Sequence, residues 1–154
     1  MSPAEALRTA SAAATEIAGE ALAARLQAGD VVLIEGDLAA GKTTLVRGMV
    51  RGLGGEERAV SSPTFVLVQT YDCHQRGVSA LHHVDLYRLG ERAADLRELG
   101  LEELLSDPDA VVAVEWPKET LATWIPAAAR TWRVAFTVAD DEARIITLTP
   151  PDDL

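Results

Sequence analysis

The run Gly36-Asp37-Leu38-Ala39-Ala40-Gly41-Lys42-Thr43 constrains this chain more than any other stretch of it. It fits G-x-x-x-x-G-K-[ST], the pattern of a glycine loop that wraps phosphate. Average residue usage gives an accidental match in a chain this long about once in two hundred sequences. The flanks narrow the odds further. Val31-Val32-Leu33-Ile34 is the short, apolar, β-branched run of a buried parallel strand. After the loop, apolar residues at 45, 46, 49, 50 and 53 recur at helical spacing. Strand, glycine loop and helix stand in the order that phosphate binding requires.

Each part of that loop has a physical task. Gly36 and Gly41 reach backbone conformations closed to other residues. The amides of Asp37, Leu38, Ala39, Ala40, Gly41, Lys42, Thr43 and Thr44 can then turn inward as a nest for an anion, at the positive end of the following helix. Lys42 supplies a point charge for β- and γ-phosphates, and the Thr43 hydroxyl is placed for Mg²⁺. Lys42 and Lys118 are the chain's two lysines.

Composition bounds the function. At 154 residues the expectation is one domain over 1–154, with a frayed tail from about 150. A hydrophobic content of 48% supports one core. The net charge is −10, with no basic stripe, so bare nucleic acid should bind poorly. Any RNA would be held by another subunit. Cys73 is the single cysteine, which excludes an internal disulfide and fits a reducing cytosol. A nucleophilic role for it beside His74 is disfavoured, because no third group is evident. No run reaches the roughly 18 apolar residues of a membrane span, and the N-terminal residues lack a secretory pattern. The expected location is cytoplasmic.

The rest of the chain alternates strand and helix signals. Ser2-Pro3-Ala4-Glu5 reads as a capping box, and Ser11 offers a second cap. A helix is expected over 12–28, with Ala14, Ile17, Ala18, Ala21, Leu22 and Leu26 on its buried face and Gly29-Asp30 ending it. The pattern leaves residues 6–10 open between helix and strand. Residues 66–71 and 78–84 read as an antiparallel hairpin around a turn at 72–77. Residues 92–105 suggest one or two short helices, and Val111–Val114 another buried strand. A weak helix is expected up to Thr123 or Trp124, then a hairpin of 131–138 with 143–149. The sum is an α/β fold: a mixed central sheet flanked by helices, of P-loop NTPase type.

Acids at strand ends could complete the site, since ligands of open α/β sheets sit beyond the carboxyl ends of the strands. Asp85 follows Leu81–Val84 and Glu115 follows Val111–Val114. Either can hold Mg²⁺ or position water; the bland alternative is a helix cap. Ser62-Pro63-Thr64 lies where P-loop proteins often carry a γ-phosphate switch, making Thr64 a candidate sensor, or else a plain turn into a strand. Trp116 could stack on the base, cover the site or pack in the core. Trp124 and Trp132 read as packing. His82 and His83 straddle a strand, so one should face in and one out, and a structural histidine is favoured over a ligand.

Four motifs, GDLAAGKTT, SSPTF, HHVDLYRL and VEWPKE, occur in this order with little room between them. Together they resemble the bacterial TsaE family (older name YjeE) over about residues 6–150. The resemblance implies a Mg²⁺-dependent ATPase acting with TsaD and TsaB in threonylcarbamoyl modification of adenosine 37 of tRNA, supporting turnover of that complex. It also implies that Lys42 contacts phosphates, that Thr43 and Glu115 hold Mg²⁺, that Asp85 acts through water, and that residues 62–65 form a switch. A short strand at 6–10 is a further implication. Ala39 replaces the family's usual glycine, which would cost about 1 kcal/mol if that position needs positive φ. Lys118 stands where the family often has glutamate.

Three rivals remain in view. A small-molecule P-loop kinase would need a lid, for which Arg88, Arg92 and Arg97 are candidates, but its C-terminal third would be helical. A GTPase of the common kind needs N-K-x-D, and this chain contains no asparagine. A non-catalytic nucleotide-binding module would look the same from sequence.

Overall fold

The computed structural model describes residues 3–37, 40–60, 68–86, 100–117 and 119–152. Their strands are β1 (Glu5–Thr9), β2 (Val31–Glu35), β3 (Val68–Gln75), β4 (Val78–Asp85), β5 (Ala110–Glu115), β6 (Thr131–Val138) and β7 (Arg144–Thr149). The helices are α1 (Ala12–Ala23), α2 (Lys42–Gly52) and α3 (Leu101–Leu105), with 3-10 turns at Glu57–Ala59 and Glu119–Thr123. The seven strands form one mixed sheet in the order β1-β7-β6-β2-β5-β4-β3. β2 lies parallel to both β5 and β6, and β5 is parallel to β4. The outer pairs β3–β4, β6–β7 and β1–β7 are antiparallel.

Strand alternation sends successive residues to opposite sheet faces. Val32, Ile34, Leu81 and Ala113 pack under α1 and α2. Val31, Leu33, Val84 and Val114 pack on the other face with Leu101, Leu105 and Leu121. Leu45, Val46, Met49, Val50 and Leu53 are all 0–1% exposed, as their helical spacing implies. Each such burial contributes roughly 1.5–3 kcal/mol relative to exposure.

α1 and α2 meet backbone to backbone. A Cβ on Gly48 would lie 1.9 Å from the Glu16 carbonyl oxygen, and one on Gly19 would lie 2.2 Å from that of Leu45. No side chain fits at either position, so the two helices approach there as closely as glycine allows.

Several expectations are corrected. Ser2 lies outside the described residues, but the helix expected after it is absent: Glu5–Thr9 is a strand because it pairs with β7, from Glu5 opposite Leu148 to Thr9 opposite Arg144. Ser11 is the cap of α1, accepting from the Ala14 amide at 3.1 Å. α1 ends at Ala23, not near residue 28. Arg76 explains the stop: its guanidinium donates to the carbonyls of Ala23 and Leu26, serving groups that a longer helix would use itself. The buried stripe of α1 is Thr15, Gly19, Leu22 and Ala23, while Ile17 is 63% exposed. The glycine seam rotates the helix away from the face its larger residues suggest. The turn expected over 72–77 is only Arg76-Gly77, both at positive φ, so β3 runs on to Gln75.

Candidate nucleotide and metal site

The glycine loop follows β2, and the helix dipole of α2 faces it. Asp30 fixes the start of that strand: its carboxylate accepts from the Gln27 amide at 2.9 Å, from Trp132 Nε1 at 3.0 Å and from Arg130. At the other end Gly36 and Gly41 take φ of 150° and 108°. Gly36 is also a close approach, since a Cβ there would meet Phe136 Cβ at 2.8 Å. The Ala40 amide donates back to Asp37 O at 3.1 Å, and Arg144 from β7 donates to Ala40 O at 3.0 Å. Leu38 and Ala39 lie outside the described residues. Gly41 caps α2 with no side chain, and the first turn of α2 holds no acid. Its amides and positive end can therefore receive an external anion.

Lys42 is only 4% exposed. Its Nζ donates to the carbonyls of Gly36 and Asp37 at 2.7 Å each and sits 4.3 Å from the centre of the Trp116 ring. Burial pushes this ammonium below its ordinary pKa, against the opposing pull of Glu115, Asp85 and Asp37. Trp116 holds a left-handed φ of 58°. For a bulky residue that is strained by roughly 1–2 kcal/mol. Its amide donates to Ile34 O at 3.1 Å, tying the end of β5 to the end of β2.

Glu115, 4% exposed, stands opposite Asp85 in the parallel register. Thr43 Oγ1 donates to Glu115 Oε2 at 3.2 Å, bridging the first turn of α2 and the end of β5. The Leu86 amide donates to Glu115 O at 3.0 Å, so the ends of β4 and β5 are also joined. Sequence reasoning therefore selected groups that the fold brings together: Lys42, Thr43, Asp85, Glu115 and Trp116. Thr64 and the rest of 61–67, Arg88, Arg92, Arg97 and Lys118 lie outside the described residues. Thr44 faces a cavity of about 190 Å³ on the β7 side of the loop, shared with Ala12, Thr15, Ala40, Gly41 and Arg144. A larger cavity of about 540 Å³, at Gly54, Tyr71 and His74, touches none of these groups.

The expectation that one histidine faces in and one out fails. His82 and His83 point to opposite faces, yet both are buried, at 8% and 0% exposure, because β4 is covered on each side. His82 bonds Thr70 and Asp107, whereas His83 Nε2 donates to Glu115 Oε2. His83 was missed as a neighbour of the site, although alternation alone puts residues 83 and 85 on one face. Phe136 and Arg144 carried no local signal at all. Cys73 is buried and its thiol is pushed up to about 11, chiefly by desolvation, which leaves it unreactive as a nucleophile.

The donor set suits the groups the motif implies. A hydroxyl and a carboxylate meeting beside an amide nest are hard oxygen ligands of the kind Mg²⁺ takes. It is no all-protein cage: among the described residues no three of His, Cys, Asp and Glu gather around one point. Mg²⁺ bound with phosphates keeps several waters and needs few protein ligands.

A central parallel strand, a glycine loop feeding a helix, and acids at the ends of the neighbouring strands define a P-loop NTPase-like α/β fold. The crystal structure of YdiB from Bacillus subtilis superposes with a TM-score of 0.73 at 28% identity, covering 99% of this chain and 89% of that one. The family model described as "Threonylcarbamoyl adenosine biosynthesis protein TsaE" matches residues 9–146, and the chain belongs to the TsaE family. The tRNA threonylcarbamoyladenosine biosynthesis protein TsaE of Streptomyces coelicolor is 41% identical over 133 residues, 85% of this chain and 86% of its own. The protein of the same name from Synechocystis is 42% identical over 110 residues, 68% of this chain and 65% of its own. Among the described residues no helix is long and apolar enough to cross a membrane.

Proposed function

We propose that this chain is a Mg²⁺-dependent ATPase, working as a single domain in the cytoplasm with TsaD and TsaB in threonylcarbamoyl modification of tRNA. The names of its relatives support the pathway. One observation carries the activity: Thr43 and Glu115, 72 residues apart in sequence, meet at 3.2 Å beside the buried Lys42.

In this reading the amides of 37–44 hold the phosphates, and Lys42 exchanges the carbonyls of Gly36 and Asp37 for phosphate oxygens. Thr43 and Glu115 hold the metal, and Asp85 acts on it through water. Bound Mg²⁺ would neutralise charge developing on the β- and γ-phosphate oxygens. Trp116 covers the phosphate end over Lys42, and the base lies toward the cavity at Thr44. Thr64 and its neighbours serve as the switch. A net charge of −10 leaves tRNA to the partner proteins. A small-molecule kinase is the poorer reading, because the C-terminal third is the β6–β7 hairpin where helices would be needed.

The test is ATP hydrolysis with and without TsaB–TsaD and substrate tRNA. Slow turnover alone, raised by the pair, supports the proposal. Stimulation by a small metabolite with indifference to the pair would replace it with the kinase. Glu115→Ala should shift the Mg²⁺ requirement more than metal-free nucleotide binding.

A further inference from the structure

Two adjacent histidines on β4 are buried in different ways. His82 uses both ring nitrogens: Nδ1 lies 2.9 Å from Thr70 Oγ1 and Nε2 lies 3.0 Å from Asp107 Oδ2. That is how a histidine with a purely structural task is satisfied. His83 differs. It is fully buried, and its Nδ1 has no hydrogen-bond partner among the described residues. Among the described residues its ring makes one polar contact, from Nε2 to Glu115 Oε2. A carboxylate only accepts, so Nε2 carries the hydrogen.

Glu115 Oε2 therefore takes two donors from two different elements. The imidazole of His83 reaches it from within the core, and the Thr43 hydroxyl reaches it from the first turn of α2. A glutamate side chain has three rotatable bonds, and holding it in one rotamer costs entropy at each encounter with a ligand. A core-anchored donor removes that freedom in advance. Hydrogen bonds of this kind behind a metal-binding group fix its orientation, and losing one weakens metal binding about 10–100-fold.

We infer that His83 is a positioning residue: from the core, its Nε2–H fixes the Glu115 carboxylate in the orientation that receives the metal of a metal–nucleotide complex. This rests on Glu115 being a metal ligand. His83 touches neither metal nor nucleotide.

The experiment uses the full chain, a non-hydrolysable ATP analogue and a Mg²⁺ titration. It reads the Mg²⁺ concentration at which nucleotide binding tightens half-maximally, the metal-free nucleotide affinity in chelator, and the melting temperature. Three variants are compared: His83→Gln, whose amide N–H can reach the place of Nε2; His83→Asn, whose shorter amide matches Nδ1 instead; and His83→Leu. The expected result is a Mg²⁺ midpoint raised about tenfold or more in the Asn and Leu variants. Metal-free affinity should stay within about twofold, and the Gln variant should lie near the parent. Glu115→Gln is the reference. If it leaves the midpoint unmoved, the metal-ligand reading fails and takes this inference with it. If it raises the midpoint while His83→Asn and His83→Leu do not, His83 is a core residue only and the inference alone is overturned. Should those two variants not fold, the parent protein decides by NMR. Adding Mg²⁺ to its nucleotide complex must shift the ring N–H proton of His83 and leave that of His82 in place. An unshifted His83 proton overturns the inference.

Discussion

Replacing Gly48 by alanine sets two opposed effects against each other at the α1–α2 seam. Alanine is the better helix former by about 1 kcal/mol, so at an open position the change stabilises. Here the new Cβ would lie 1.9 Å from the Glu16 carbonyl oxygen, 2.8 Å from its carbon and 3.0 Å from its Cα. A carbon–oxygen contact needs about 3.3 Å, so the shortfall is about 1.4 Å. The clashing atoms are backbone, and no rotamer relieves them. α1 must back away, opening gaps above Leu45 and Met49, and a gap of about 0.5–1 Å already forfeits a quarter to a half of each contact. Overpacking costs about 1–3 kcal/mol, and a backbone clash belongs at the top of that range. Subtracting the propensity gain leaves a net loss of about 2 kcal/mol, or about 4–8 °C in Tm at this chain length. Thermal melts followed by circular dichroism measure it. Gly19→Ala should behave alike, and the double variant should lose less than the sum, since α1 retreats only once. Gly77→Ala is the contrast: at φ +80° with nothing within 4 Å, it carries strain alone, about 1 kcal/mol. A Gly48→Ala protein melting at or above the parent would refute the close-packed seam.

Three further outcomes are expected. Lys42→Ala should weaken ATP binding by roughly two orders of magnitude, read by calorimetry, because a charge-assisted phosphate contact disappears from a desolvated site; near-parental affinity would remove Lys42 from the cradle. With its thiol raised to about 11, Cys73 should resist iodoacetamide at pH 8 in the folded chain and react readily in denaturant; equal rates in both states would contradict its burial. The hydrogen bond from His82 holds the Asp107 carboxyl below the ordinary carboxylate range. A lowered folded-state pKa contributes stability that is full above the unfolded value and is lost as pH falls through the folded one. Between pH 5 and pH 3 the parent should therefore lose more stability than Asp107→Asn, as urea titrations would show.

The candidate site was legible where one stretch of chain carries it. Gly36 to Thr43 with its flanking strand and helix is local, and Asp85 and Glu115 were found because each closes an apolar strand. What pairs across the sheet was not legible. The contact of His83 with Glu115 depends on the β4–β5 register, which no window of sequence contains. The seating of Gly36 on Phe136 depends on β6 lying beside β2. β1 shows the same limit more sharply, since Glu5–Thr9 carries little strand pattern and is a strand only because β7 offers an edge. In α1 the alanines extend helical propensity past residue 23, and the stop comes from a distant guanidinium. Its facing was misread because hydrophobicity marks Ile17, while glycine, with no side chain to score, decides which face touches α2.

The place of β2 between β5 and β6 has a consequence for how the protein is made. A ribosome completes the glycine loop well before Ala110–Glu115 and Thr131–Val138, the strands that will flank β2, have been made. At about 5–20 residues per second that interval is on the order of ten seconds. Throughout it, the nascent polypeptide displays the nucleotide motif with nothing to seat it. On the proposed function, nucleotide therefore could not template the first steps of folding; it would bind the finished sheet and act as a late lock on a chain already assembled.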